Sequence, residues 1–144
     1  LIALAEDRTS SYDEHIKFVS LEVNAGSVEK AEAKLKIEIN DKVENTKING
    51  NGPVDATFNA IKKLTNTEFK LKLYQVNAIT AGTDAQGEVT VRLEDENLSS
   101  QAKGSDPDII VASAKAYINA LNRLIFKKTK SIKENAASLK IEGV

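Results

Sequence analysis

The sequence predicts an α+β fold: two pseudo-symmetric βββα units, each an antiparallel sheet with its helix on one face. Three observations predict it. The order of features repeats, segments of strong period-two hydrophobicity recur in both halves, and each half ends in a stretch with helical spacing that starts just after a glycine and a proline. Val23-Asn24-Ala25 returns as Val76-Asn77-Ala78, Leu35, Ile37 and Ile39 return as Val89, Val91 and Leu93, and Gly50 and Pro53 return as Gly104 and Pro107. The repeats cover about 17–66 and 70–126, and the weight rests on shared order rather than on identities.

In the first half, Val19, Leu21, Val23 and Ala25 alternate with polar residues, and so do Ala33, Leu35, Ile37 and Ile39. A period of two puts one face of each strand on a core. Gly26-Ser27 and Asn40-Asp41 supply turn chemistry between strands. A weaker strand, Val43 to Ile48, leads into Asn49-Gly50-Asn51-Gly52-Pro53. Val54, Phe58, Ile61 and Leu64 then share a helical stripe. Pro53 suits the first helical position, where its missing N–H costs nothing. Asp55 in the first turn and Lys62 and Lys63 in the last suit the helix dipole, and Asn66 ends the helix.

The second half follows the same plan. Tyr74, Val76 and Ala78 form a strand, Ala81-Gly82-Thr83-Asp84 a turn, Val89, Val91 and Leu93 a second strand, and a weaker strand lies near Leu98. Ser105 or Asp106 is expected to cap a long helix that starts at Pro107. Along it Ile110, Ala114, Tyr117, Leu121 and Leu124 keep helical spacing, while Ala112, Ala116 and Ala120 make a small-residue strip that permits close approach of another element. Residues 127–144 read as a basic tail, with Leu139 and Ile141 as a last strand or tag-like end. Residues 1–16 read as the end of a linker helix from an upstream region, since a chain without methionine reads as a piece of a longer one.

Composition narrows the function. Twenty basic against twenty-one acidic residues leave a net charge of −1, too little field for nucleic acid or an anionic membrane. Zero cysteines rule out a disulfide framework and thiolate metal sites and fit a reducing, cytoplasmic setting. No apolar run reaches the roughly 18–20 residues of a membrane span. His15 is the only histidine and reads as a surface residue, so neither a multi-histidine metal site nor a serine–histidine pair is available. Asp84, Asp95, Asp106 and Asp108 all stand at turns or helix starts, where local hydrogen bonding already accounts for them.

Gly50-Asn51-Gly52-Pro53 exposes backbone N–H groups at the positive end of a helix, which suits an anion, although a tight turn explains it too. It is not a phosphate loop, because the lysine and the Ser/Thr of that motif are missing. If a pseudo-twofold axis brings the two helix starts together, a small carboxylate can bind at one while carbonyls or an aspartate hold an ammonium. That describes a free amino-acid site, with Val54, Tyr74, Ala85 and Ile109 as candidates for its apolar wall; a plain core role fits each equally well.

The strings Gly-Asn-Gly-Pro-Val-Asp-Ala (50–56), Asn-Ala-Ile-Thr-Ala-Gly-Thr-Asp-Ala-Gln-Gly-Glu-Val (77–89) and Asp-Ile-Ile-Val-Ala-Ser-Ala-Lys-Ala-Tyr-Ile-Asn-Ala-Leu-Asn-Arg-Leu (108–124) resemble the C-terminal allosteric domain of the 2-isopropylmalate synthase and citramalate synthase family. The resemblance runs from about Phe18 to Leu124. It implies a homodimerising regulatory domain of two βββα units that binds leucine, or isoleucine in the citramalate branch, near the loops that start the helices. Carried over by position, the ligand loops are Gly50, Asn51, Gly52, Pro53, Val54 and Ala56, then Asp84, Ala85, Gln86 and Gly87, then Gly104, Asp106, Asp108 and Ile109, with backbone amides dominant. The third loop departs from relatives in carrying Pro107 where a threonine is frequent, which stiffens that wall. The catalytic step of the family, condensation of acetyl-CoA with a 2-oxo acid on a divalent metal, belongs to an upstream barrel, so this stretch is expected to have no catalytic residue, metal or cofactor of its own.

Overall fold

The computed structural model describes residues 15–26, 30–79 and 85–142. The linker-helix expectation before His15, the Ser27 turn position and the Ala81–Asp84 turn lie outside them. Within them the order is β1 (Ile16–Asn24), β2 (Ala31–Ile39), β3 (Lys42–Gly50), α1 (Pro53–Thr65), β4 (Lys70–Ile79), β5 (Gly87–Glu94), β6 (Ser99–Asp106) and α2 (Ile109–Glu142). Two antiparallel sheets result, β1-β2-β3 and β4-β5-β6, each followed by its helix. The fold is therefore α+β with two βββα units.

The central strands follow the period-two reading. Ala33, Leu35 and Ile37 of β2 and Val89, Val91 and Leu93 of β5 are all buried in one hydrophobic core. Asn40 and Asp41 both adopt left-handed φ values, 50° and 70°. That is the geometry of a two-residue hairpin whose twist matches the strands, and short polar side chains tolerate it. Helix α1 packs on β2 and β3, α2 on β5, β6 and β1, and the two helices on each other.

The edge strands depart from simple alternation. Val19 was expected to face the core and is 45% exposed, because an irregularity between Phe18 and Ser20 shifts the register against β2. A bulge adds a residue and swaps the faces beyond it, so Leu21 and Val23 turn inward. The same irregularity recurs in β4 between Leu71 and Leu73. Phe18 and Leu71 are as far apart in the chain as Val23 and Val76, so the repeat extends to a backbone defect. Val76, near a further shift before Ala78, is 42% exposed.

The helix ends correct two further expectations. Asp108, not Ser105 or Asp106, caps α2: its Oδ1 accepts the Ile110 N–H at 2.7 Å, and its carbonyl accepts the Ala112 N–H at 2.9 Å. Pro107 stands before the helix rather than in its first turn. At the other end α2 continues to Glu142, so Leu139 and Ile141, read as a last strand or tag-like end, lie in helix instead. Residues 127–135 are mostly exposed, and the lysines, alanines, glutamates and leucine of the stretch to Glu142 are good helix formers. Asn66 does end α1, in the left-handed conformation at φ 53°, with its N–H on the Lys62 carbonyl.

Among the described residues α2 also contains a window apolar enough to span a membrane by length and composition, contrary to the sequence expectation. Its apolarity has a local reason: Ala112, Ala114, Ala116, Tyr117, Ala120, Leu121 and Leu124 are buried within the core.

The small-residue strip is used for close approach. A Cβ built on Gly104 of β6 would collide with the Ala116 amide nitrogen and stand 2.6 Å from the Ala112 carbonyl oxygen. Gly50 of β3 meets the first turn of α1 in the same way, 2.6 Å from the Ala56 Cα. Backbone cannot rotate aside as a side chain does. We expect Gly104→Ala to cost about 1–3 kcal/mol and to lower Tm by about 2–12 °C at roughly 2–4 °C per kcal/mol, while Gly26→Ala, where a Cβ meets nothing within 4 Å, stays within about 0.5 kcal/mol of the parent. Thermal denaturation of the two variants checks the contrast.

Candidate functional site

At one end of the molecule the starts of both helices face a common groove. Its volume is about 300 Å³; a separate pocket of about 340 Å³ lies along the β1–α2 seam near Lys115. The groove at the helix starts is lined by Leu21, Val23 and Ala25 from β1 and its end, Pro53 from α1, and Asp108, Ile110 and Val111 at the start of α2. Such a volume lies at the lower end of the roughly 300–1,000 Å³ of small-ligand sites. Leu21 and Val23 reach it because the β1 bulge turns them inward.

The two helix starts differ electrostatically. No side chain caps α1, whose N-cap is Gly52 in extended backbone at φ −161°. Its first-turn amides keep the partial positive charge of a helix start. Asp108 caps α2 and brings a carboxylate to the groove. One wall thus favours an anion, the other favours a cation, and Leu21, Val23, Ala25, Ile110 and Val111 offer apolar surface between them.

The residues singled out from sequence are divided by the structure. Pro53 and Asp108 meet in the groove. Val54 and Ile109 are half-buried neighbours of the core in the same helix starts, and Ala56 is fully buried. The Asn51 N–H donates to Asp55 Oδ2 at 2.8 Å, so an internal carboxylate already serves that amide. Gly50 and Gly104 are accounted for by strand-to-helix approach, and Gly87 by Ile109, whose Cδ1 a Cβ at 87 would overlap. Tyr74 lies deeper. Its hydroxyl bonds Ser113 Oγ at 2.7 Å, and its ring meets Phe58 edge-on at 5.8 Å. Ala85 is half-buried and Gln86 exposed, beside the strand pairing of Gly87 with Asp106; neither lines the groove. Asp84 lies outside the described residues.

Leu21, Val23, Ala25, Ile110 and Val111 line the groove although sequence reasoning assigned none of them to a site. Periodicity marks Leu21, Val23, Ala25 and Ile110 only as core-facing. Partial exposure in a groove is decided by tertiary packing. Among the described residues no three histidine, aspartate or glutamate side chains cluster as a metal site would require.

Residues 1–125 match the family described as the LeuA allosteric (dimerisation) domain. The chain belongs to this family. It is 44% identical over 141 residues to a 2-isopropylmalate synthase of Rhodopseudomonas palustris (strain TIE-1), covering 98% of this chain and 27% of that protein. It is 48% identical over 136 residues to the 2-isopropylmalate synthase of Afipia carboxidovorans, covering 94% and 26%. The chain spans about a quarter of the length of these relatives. The family match ends at residue 125, inside α2, which runs on to Glu142.

Behind the Asp108 cap of this LeuA-family domain, Asp106 accepts the Asp108 N–H at 2.9 Å and the Lys115 ammonium at 2.9 Å. Burial pushes its carboxyl up, but those two donors outweigh burial and hold its pKa below the ordinary 3.8. A carboxylate more acidic in the folded than in the unfolded chain stabilises fully above the unfolded value and loses that contribution as pH falls through the folded one. Asp106→Asn is therefore expected to be less stable than the parent at neutral pH, with the gap closing as acidification carries the pH below the ordinary carboxylate value of 3.8 and through the lowered folded one. Urea midpoints across that range check the sign; a gap that widens on acidification would contradict it.

Proposed function

We propose that the chain is the effector-binding regulatory domain of a 2-isopropylmalate synthase, and that leucine is the amino acid it binds. The observation that carries this reading is the pairing of an uncapped helix start at Gly52-Pro53 with a carboxylate-capped one at Asp108 around a single apolar groove. A zwitterion fits that polarity. Its carboxylate lies on the α1 amides, its ammonium on Asp108, and its aliphatic side chain against Leu21, Val23, Ile110 and Val111. Membership in a family described as allosteric and dimerising, and relatives named 2-isopropylmalate synthase, support the same reading. On this account the domain forms a homodimer in the cytoplasm and needs no cofactor. An upstream region carries the condensation chemistry, and leucine restrains it by binding one state of the enzyme more tightly than another. Isoleucine is the alternative effector.

A purely structural dimerisation domain is the second reading. Its support is that Gly50, Gly87 and Gly104 are all accounted for by packing and that Asp55 already occupies the Asn51 amide. One substitution separates the two. Position 52 has extended backbone and open space for a Cβ, and aspartate is a favoured N-cap. Gly52→Asp thus preserves α1 while placing a negative charge where the effector carboxylate would sit. In calorimetric titrations with leucine, isoleucine and valine, we expect leucine to bind tightest and Gly52→Asp to weaken it at least tenfold, about 1.4 kcal/mol. No heat with any of the three amino acids on the folded dimer would overturn the effector reading, and unchanged affinity in Gly52→Asp would overturn the site.

A further inference from the structure

Beyond Lys128 helix α2 leaves the packed part of the molecule. Ile132 is 64% exposed, and Thr129, Lys130, Lys133, Glu134 and Asn135 are exposed around it. Ile125 and Ile132 lie seven residues apart, two turns along one stripe, the first half-buried and the second open. On the flank toward the second sheet, Lys128 pairs with Asp95 at 2.8 Å and Lys127 donates to the Ser99 carbonyl at 2.6 Å. Among the described residues Lys130 and Lys133 have no such partner. Residues 127–142 carry five lysines against two glutamates, a net +3.

Strand β1 runs antiparallel to α2 across this seam. The Ile16 N–H and carbonyl bond the Asn122 side chain, at 3.1 and 2.8 Å, whereas Leu21, Val23 and Ala25 meet Asp108, Ile110 and Val111. Extended backward from Ile16, the direction of β1 points to the part of α2 beyond Asn122. Residues 1–14, which precede it in the sequence, hold four acids (Glu6, Asp7, Asp13 and Glu14) against one arginine, a net −3, together with Leu1, Ile2 and Leu4.

We propose that residues 1–14 of the same chain dock on the exposed stretch of α2 around Ile132, with Glu6 and Asp7 facing Lys130 and Lys133 and the leading apolar residues covering Ile132. Chain direction, opposite charge and an open apolar position agree on this occupant. A second copy of α2 would bring lysines to lysines. The contact stands independently of the effector reading.

The chain has no cysteine, so the test is direct. Leu4→Cys and Ile132→Cys are introduced together in the whole chain and treated with a flexible bismaleimide. A link within one chain, at monomer mass, is the expected result. Lys130→Glu with Lys133→Glu should reduce its yield several-fold, and adding Glu6→Lys with Asp7→Lys should restore it. Dimer-mass product from Ile132→Cys alone, with no internal link, would assign the face to a second copy and overturn the proposal. So would the absence of any internal link with both thiols reactive. Hydrogen exchange gives a reading that leaves α2 unaltered: amides 128–135 should exchange several-fold faster in Glu6→Lys/Asp7→Lys than in the parent, and equal rates would also overturn it.

Discussion

One buried side chain ties the first strand of one half to the helix of the other. Asn122 of α2 accepts the Ile16 N–H and donates to the Ile16 carbonyl, completing backbone bonding where β1 enters the fold. Leaving either group buried and unpaired costs about 1–3 kcal/mol, so the first strand of one unit is tied to the helix of the other. The tie fixes β1 antiparallel to α2. Because it does, the far end of β1 arrives beside Asp108 and Pro53, and the groove at the helix starts exists. Below it the halves share an aromatic contact, with the Phe58 and Tyr117 rings 4.6 Å apart. Tyr117 is so enclosed that burial pushes its pKa up to about 12.

Pseudo-symmetry builds the groove, and its breaking gives the groove polarity. The units share a bulge in the edge strand, a buried central strand and a glycine that lets the third strand approach its helix. They differ at the cap: glycine without a side-chain bond on α1, aspartate on α2. Two identical helix starts would both favour anions. Glycine on one and aspartate on the other make a pair of opposite preference, the arrangement that suits a zwitterion.

Much of this was legible in the sequence, for identifiable reasons. Ala33, Leu35 and Ile37, and Val89, Val91 and Leu93, lie on central strands buried on one face, where period two holds without interruption. Val19 and Val76 belong to edge strands, where bulges cost little and break the period. The α2 cap was misplaced by two residues because Asp106 and Asp108 are chemically equivalent in the sequence. Only tertiary contact with Lys115 separates the ion pair from the cap. Gly50 and Gly104 were recognised by position, yet their role is close packing, which resembles ligand approach in a sequence because both need the absence of a Cβ. Leu21 and Val23 were legible as inward-facing, but that they open onto a groove is decided by how β1 packs beside Asp108 and Val111.

The central claim is that a free amino acid binds where β1, α1 and α2 converge. Amide chemical shifts followed during leucine titration of isotopically labelled chain test it most directly. Saturable shifts concentrated at residues 21–25, 52–55 and 108–111 are predicted. Saturable shifts centred elsewhere, or none in a folded sample at millimolar leucine, would contradict it.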